Sequence, residues 1–237
     1  MLYIKSLILI LMNTYFIYSH LFFITIGNCF KNINNINNIN KRQLVINNNI
    51  SPIIKKNILH NHNMPLLYSN NYYNNIYSIE HIYPISYLIT NESKIDMHNL
   101  VKTTKDLNNA RSNYKYTDFE EINFNINNKN WIKLDNNNYV NHKKKMFIPN
   151  NESKGIIARS ILYINDKYNL EINKVINYSI LINWYIYYPP DKYEIYHNNY
   201  VKNIQNTNNK FISNYKYYIK KIYKNIKIND NYYSNSL

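Results

Sequence analysis

The chain has 237 residues, enough for one domain of moderate size plus an additional N-terminal segment. It carries 28 Lys and Arg against 14 Asp and Glu, a formal charge of +14; an excess of that sign suits a polyanionic partner and follows equally from a basic compositional bias. The single cysteine, Cys29, excludes an intramolecular disulfide and with it the disulfide-stapled scaffolds, so stability rests on a hydrophobic core and on any bound ion.

The composition is uneven, with 27 Tyr, 2 Gly and long runs of Asn and Ile. Asn, Ile, Lys and Tyr are residues of AT-rich codons, so single examples carry little information; Gly, Pro, Trp, Arg, His, Asp and Glu carry more. Residues 1–30 hold one charge, Lys5, and read as a signal peptide or an uncleaved signal anchor. Residues 31–70 are Asn-rich, acid-free and mildly basic, with Asn-Ile-Asn units over Asn32–Asn40, which reads as a low-complexity leader or spacer. A signal followed by such a stretch directs a chain to the secretory pathway, for secretion or for a secretory-derived plastid. The first carboxylate is Glu80 and six cations precede it; fourteen less six leaves +8 on residues 80–237, so the basic balance belongs to the domain.

Order is expected to begin near Asn71. Ile76–Glu80 predicts a short strand ended by Pro84. A helix is predicted over about Thr104–Ser112, with Thr103 or Thr104 as its N-cap. Residues 120–150 read as strands or loops with an Asn-rich insertion. Ile157, Ile161, Leu162 and Ile164 recur at near-helical spacing within Ile156–Lys167. Further helices are predicted over Asn173–Tyr185 and Tyr193–Asn203, and residues 215–237 form a polar, basic tail without a strong pattern. Trp184 and Tyr193 are expected in the core.

The residues that escape the bias form an ordered series. Ser78-Ile-Glu-His-Ile-Tyr-Pro84 is followed by Asp96-Met-His-Asn-Leu100 and Leu107-Asn-Asn-Ala-Arg-Ser-Asn113. Then come Phe147-Ile-Pro149, Lys154-Gly-Ile-Ile-Ala-Arg159, Leu181-Ile-Asn-Trp184, Pro189, Glu194 and Gln205-Asn-Thr-Asn-Asn-Lys-Phe-Ile212. In this order and spacing the series resembles the endonuclease I family of periplasmic and extracellular nucleases, over residues 71–214. The resemblance implies an α+β fold with a ββα-metal (His-Me finger) core surrounded by helices. It implies metal-dependent, sequence-nonspecific hydrolysis of phosphodiester bonds in DNA, and often RNA, by a chain expected to be a monomer without a nucleotide cofactor. By matching motif, His81 corresponds to the general base, Glu80 to a metal-ligating carboxylate and Asn108 to a metal-ligating amide.

Elementary chemistry agrees with these assignments. A neutral imidazole can take a water's proton near physiological pH, provided its nitrogen is not itself coordinated. A hard ion such as Mg²⁺, or Ca²⁺ or Mn²⁺ in its place, keeps several waters and needs few protein oxygens. One geometric difficulty is visible: neighbours on a regular strand point to opposite faces, so the strand must bend or end at Glu80-His81. Asp96 and His98 are candidates for orienting the site, with a helix or turn cap as the alternative for Asp96. Arg111 and Arg159 are candidates for contacting phosphate in catalysis, or for buried pairing with a carboxylate such as Asp96 or Glu194; Arg159 follows Gly155 by one turn, where a helix N-terminus could face a phosphate. Lys143, Lys144, Lys145 and Lys154 are candidates for contact with the nucleic-acid backbone, the first three also fitting a solvated face. Two departures from the family pattern stand out: Asn206 and Lys210 replace a glycine and a proline, and the segment between His81 and Asp96 has no arginine. The rival readings are a degenerate domain that binds nucleic acid without cutting it, and a low-complexity interaction protein.

Overall fold

Leu100–Thr104, strand β3, is buried at every position because it is covered on both edges. On one edge β1, Leu66–Leu67, runs parallel to it, with Leu66 opposite Lys102; on the other β2, Tyr77–His81, runs antiparallel, with Glu80 opposite Val101 and His81 opposite Leu100. The computed structural model describes residues 52–70, 76–121 and 130–223. Mixed helix and strand make this an α+β chain, as the sequence implied. Contacts divide it into one unit of Lys41–Tyr215 and a second formed by Met1–Asn40 with Lys216–Leu237.

Within the first unit, helix α1 covers Pro52–His60 ahead of β1. After β2, Pro84 opens a 3-10 turn over Ile85–Tyr87, and a short helix α2 covers Asn91–Lys94 under a Thr90–Ser93 capping box. Helix α3, Lys105–Arg111, follows β3 without a loop: the Thr104 side chain accepts a hydrogen bond from the Leu107 amide at 3.4 Å, so the last strand residue is also the helix cap. The antiparallel pair β2–β3 and the helix that leaves it carry Glu80, His81, Asn108 and Arg111.

A second sheet combines β4 (Lys115–Tyr116), β5 (Ile132–Lys133), β6 (Tyr139–Asn141) and β7 (Met146–Ile148) in the order β4-β7-β6-β5. Helix α4, Asn151–Tyr168, is buried continuously from Ser153 to Ile164, which explains why its apolar spacing reads less sharply than that of a half-exposed helix. Gly155 is required there: a Cβ would lie 2.3 Å from the Tyr188 carbonyl oxygen. Helices α5 (Tyr178–Tyr187), α6 (Lys192–Gln205) and α7 (Lys210–Ser213) complete the unit. Ile58 of α1, Met97, Leu100 of β3 and Val201 of α6 form one buried cluster, against which Ile79 of β2 packs.

Several expectations are corrected. Order does not wait for residue 71: α1 and β1 lie inside the stretch read as spacer, and Leu67 and Tyr68 are fully buried. The Asn-rich composition hid a short amphipathic segment whose apolar residues have β3 and α6 to pack on. The helix expected from Asn173 is instead a 3-10 turn, Ile172–Lys174, followed by α5 from Tyr178. Part of the expected tail is helical, residues 215–223, with Tyr218 and Ile222 buried. Asn206 does the work of the missing glycine, capping α6 in the left-handed region at φ 54°, which asparagine tolerates. The signal segment 1–30, the spacer up to residue 51, the insertion at 122–129 and the tail beyond 223 lie outside the described residues. Among the described residues no helix is long and apolar enough to cross a membrane.

Candidate active site

Strand β2 carries two adjacent titratable residues at its C-terminal end, and the ladder continues through His81, its last residue. Their side chains therefore leave on opposite faces, as the pleat dictates. Glu80 points to the face covered by α3 and is 2% exposed. Its Oε1 meets Arg111 Nη1 at 2.8 Å and accepts a hydrogen bond from the Tyr68 hydroxyl at 3.1 Å. Burial pushes the Glu80 carboxyl up to about 7, against the pull of the Arg111 guanidinium and of that hydroxyl. Arg111, although burial disfavours its charge, is held above its ordinary value by Glu80.

On the other face, His81 Nε2 lies 2.9 Å from the Lys94 carbonyl oxygen. A carbonyl can only accept, so Nε2 carries the proton and the neutral ring has its lone pair on Nδ1. Burial lowers the imidazole below its usual value, with the Lys94 contact acting in the opposite direction. The ring is therefore neutral at physiological pH and basic at a defined atom.

Helix α3 places Asn108 and Arg111 three residues apart on one face, and that face rests on β2. Asn108 Nδ2 donates to Ser78 Oγ at 2.9 Å and to the Ile79 carbonyl at 3.2 Å, which commits the amide nitrogen and leaves Oδ1 as the acceptor end. Arg111 Nη1 also donates to the His81 carbonyl at 3.1 Å and Nη2 to the Ile82 carbonyl at 2.6 Å. The guanidinium lies over the Tyr116 ring, 4.4 Å from its centroid. Arg111 thus clamps the end of β2 from within, and its 1% exposure leaves it no path to a phosphate. Replacing it with alanine would leave Glu80 buried without its cation, an expected loss of about 3–5 kcal/mol of stability in urea unfolding; a loss below about 1 kcal/mol would show that the pair is not structural.

The other sequence candidates are placed as follows. Arg159 donates from Nε and Nη2 to the two carboxylate oxygens of Glu194, at 2.7 and 2.6 Å, and from Nη1 to the Tyr188 carbonyl. Each of its three nitrogens is engaged and the side chain is 1% exposed, so it holds α4 to α6 rather than meeting phosphate. Lys154 is 5% exposed and meets Asp118 at 2.8 Å, so backbone contact by this lysine is also corrected. Lys143, Lys144 and Lys145 are exposed, in the turn between β6 and β7. Asp96 caps the 3-10 turn Met97–Asn99 and accepts from Tyr163, Tyr168, Lys167 and Gln205. His98 lies against Tyr163, with Nε2 3.2 Å from the Thr207 carbonyl. These two pin the approach to β3; their bonds run to α4 and to the end of α6, with none to Glu80 or His81. Trp184 is buried in the core, as expected, and donates to Asp118 at 2.6 Å. The sequence reading missed Tyr68 and Tyr116, which no signal marked among 27 tyrosines.

A family model described as Endonuclease I matches residues 32–216. Among curated proteins, "Endonuclease-1" of Buchnera aphidicola subsp. Acyrthosiphon pisum (strain APS) is 29% identical over 126 residues, covering 53% of this chain and 46% of the relative. The chain thus spans about half the length of that relative.

Proposed function

Because the chain belongs to the endonuclease I family, we propose that it is a sequence-nonspecific endonuclease that hydrolyses phosphodiester bonds of DNA, built on a ββα-metal core made of β2, β3 and α3. The observation that carries this reading is the docking of Asn108 and Arg111 onto the strand that ends in Glu80 and His81. His81, neutral and with its lone pair on Nδ1, takes the proton of the attacking water. Glu80 and Asn108 would hold a divalent cation through a carboxylate oxygen and an amide oxygen; so small an all-oxygen set fits a hard ion such as Mg²⁺, with Ca²⁺ or Mn²⁺ as substitutes. When bound, such an ion polarises the phosphoryl oxygens and supports charge on the leaving 3′-oxygen.

Glu80 and His81 leave opposite faces of β2, so one phosphate can be served by both only beyond the strand's end, where the sheet no longer separates its faces. Arg111 fixes that end through the His81 and Ile82 carbonyls. Exposed Lys143, Lys144 and Lys145 contribute charge toward the substrate backbone, and contacts of that kind carry no sequence information. Residues 1–30 act as a signal that delivers the enzyme to the secretory pathway. A second reading, binding without cleavage, is favoured by one observation: Arg111 and Arg159, the two arginines in residues 80–237, are both committed inside the protein.

Incubation of the full chain with supercoiled plasmid is expected to give nicked and then linear DNA in Mg²⁺, and none in EDTA. Retained DNA binding without cleavage in Mg²⁺, Mn²⁺ or Ca²⁺ would favour the second reading.

A further inference from the structure

Tyr68 follows β1 with φ 65°, a left-handed conformation that a bulky side chain rarely adopts, and it is fully buried. Its backbone is held there from two other elements. The amide donates to Ser153 Oγ of α4 at 2.7 Å, and the carbonyl accepts from Asn138 Nδ2, ahead of β6, at 2.8 Å. The ring stands edge-on to Phe147, centroids 5.0 Å apart. A non-glycine residue persists in this region only when its surroundings over-determine it, and such residues cluster at working sites.

The hydroxyl end shows what this conformation achieves. Tyr68 donates its proton to Glu80 Oε1 at 3.1 Å, and its hydroxyl also lies 2.5 Å from that of Tyr116, which in turn lies 3.3 Å from the Ile82 carbonyl. Oε1 therefore receives Arg111 from α3 and Tyr68 from the end of β1, with the Tyr116 hydroxyl of the second sheet against that of Tyr68. A carboxylate on a strand with only Arg111 for company would be free to swing about its χ angles; two donors on one oxygen fix its plane.

We propose that Tyr68 is a positioning residue for Glu80: backed by Tyr116, it holds the carboxylate in the one orientation that can take a divalent cation together with Asn108. The assignment rests on the nuclease reading above. Outer donors of this kind matter to affinity because they fix a ligand before the ion arrives.

Tyr68→Phe and Tyr116→Phe keep both rings and delete one hydroxyl each. The test titrates Mn²⁺ into full-length protein without nucleic acid and reads the free-Mn²⁺ resonance signal, with thermal melting alongside. Roughly tenfold weaker Mn²⁺ binding is expected in Tyr68→Phe, the range typical of an outer-shell loss. A smaller weakening is expected in Tyr116→Phe, where Tyr68 still donates to Glu80. A tyrosine that merely fills the core would lower the melting temperature and leave Mn²⁺ affinity unchanged, and that result overturns the proposal. Should Tyr68→Phe not fold, Tyr116→Phe decides, because it leaves the left-handed residue intact: unchanged affinity there overturns the proposal too. Wild-type protein that takes up no Mn²⁺ sinks the metal-nuclease reading itself; wild-type binding with both variants unchanged sinks only the role given to Tyr68.

Discussion

A chain that starts at Asn71, where the sequence places the beginning of the domain, is expected not to fold. It lacks α1 and β1, and with them Ile58, Met64, Leu67 and Tyr68, each fully buried in the complete chain. Losing one large buried side chain costs about 2–5 kcal/mol, so losing four costs as much as or more than the whole stability of a typical domain, about 5–15 kcal/mol. The damage is also topological. Without β1, β3 becomes an edge strand, the Thr103 hydroxyl loses the Leu67 carbonyl at 2.9 Å, and the Lys102 ammonium loses the Asn61 carbonyl at 3.1 Å. Circular dichroism should show a cooperative melt for the 237-residue chain and none for the shortened one. An equal cooperative melt in both would mean that α1 and β1 are an appendage.

His81→Ala is expected to lower the cleavage rate by about 10²–10⁴-fold, the usual contribution of a positioned general base. The fold should survive, because His81 is half-buried, closes the strand, and spends one ring nitrogen on a single contact to the Lys94 carbonyl. A neutral hydrogen bond of that sort contributes about 1 kcal/mol, so a melting shift of several degrees is the ceiling. Binding of a short fluorescent duplex, followed by anisotropy in Ca²⁺, should stay within a few-fold of wild type, since backbone contacts and not the base carry affinity. Cleavage at the wild-type rate would remove His81 from the mechanism, while loss of binding and cleavage together would show that it supports the fold.

How much of this was legible in the sequence depends on what kind of residue carried the signal. Glu80, His81, Asp96, Arg111 and Arg159 stand out because the compositional bias would not supply them, and the order of their motifs placed a strand, then a capped helix, where β2 and α3 lie. Thr104 was one of two cap candidates with Thr103, because N-capping is local chemistry, and the structure selects it. Asn108 was legible only through motif register, one asparagine among many. Tyr68 and Tyr116 were invisible: their importance lies in two hydroxyl contacts with partners far away in sequence, and neither spacing nor residue type records such contacts.

What the sequence determined by itself is therefore the family, together with strand β2 and the capped helix, because each rests on local propensity or on residues too rare to be noise. Tertiary structure alone decided where the domain begins, since two apolar residues in an Asn-rich stretch become a strand only when β3 offers them an edge to pair with. It also decided the fate of the arginines. Whether a guanidinium meets a substrate or a buried carboxylate depends on what packs over it, and Glu80 and Glu194 reach Arg111 and Arg159 only once the chain has folded.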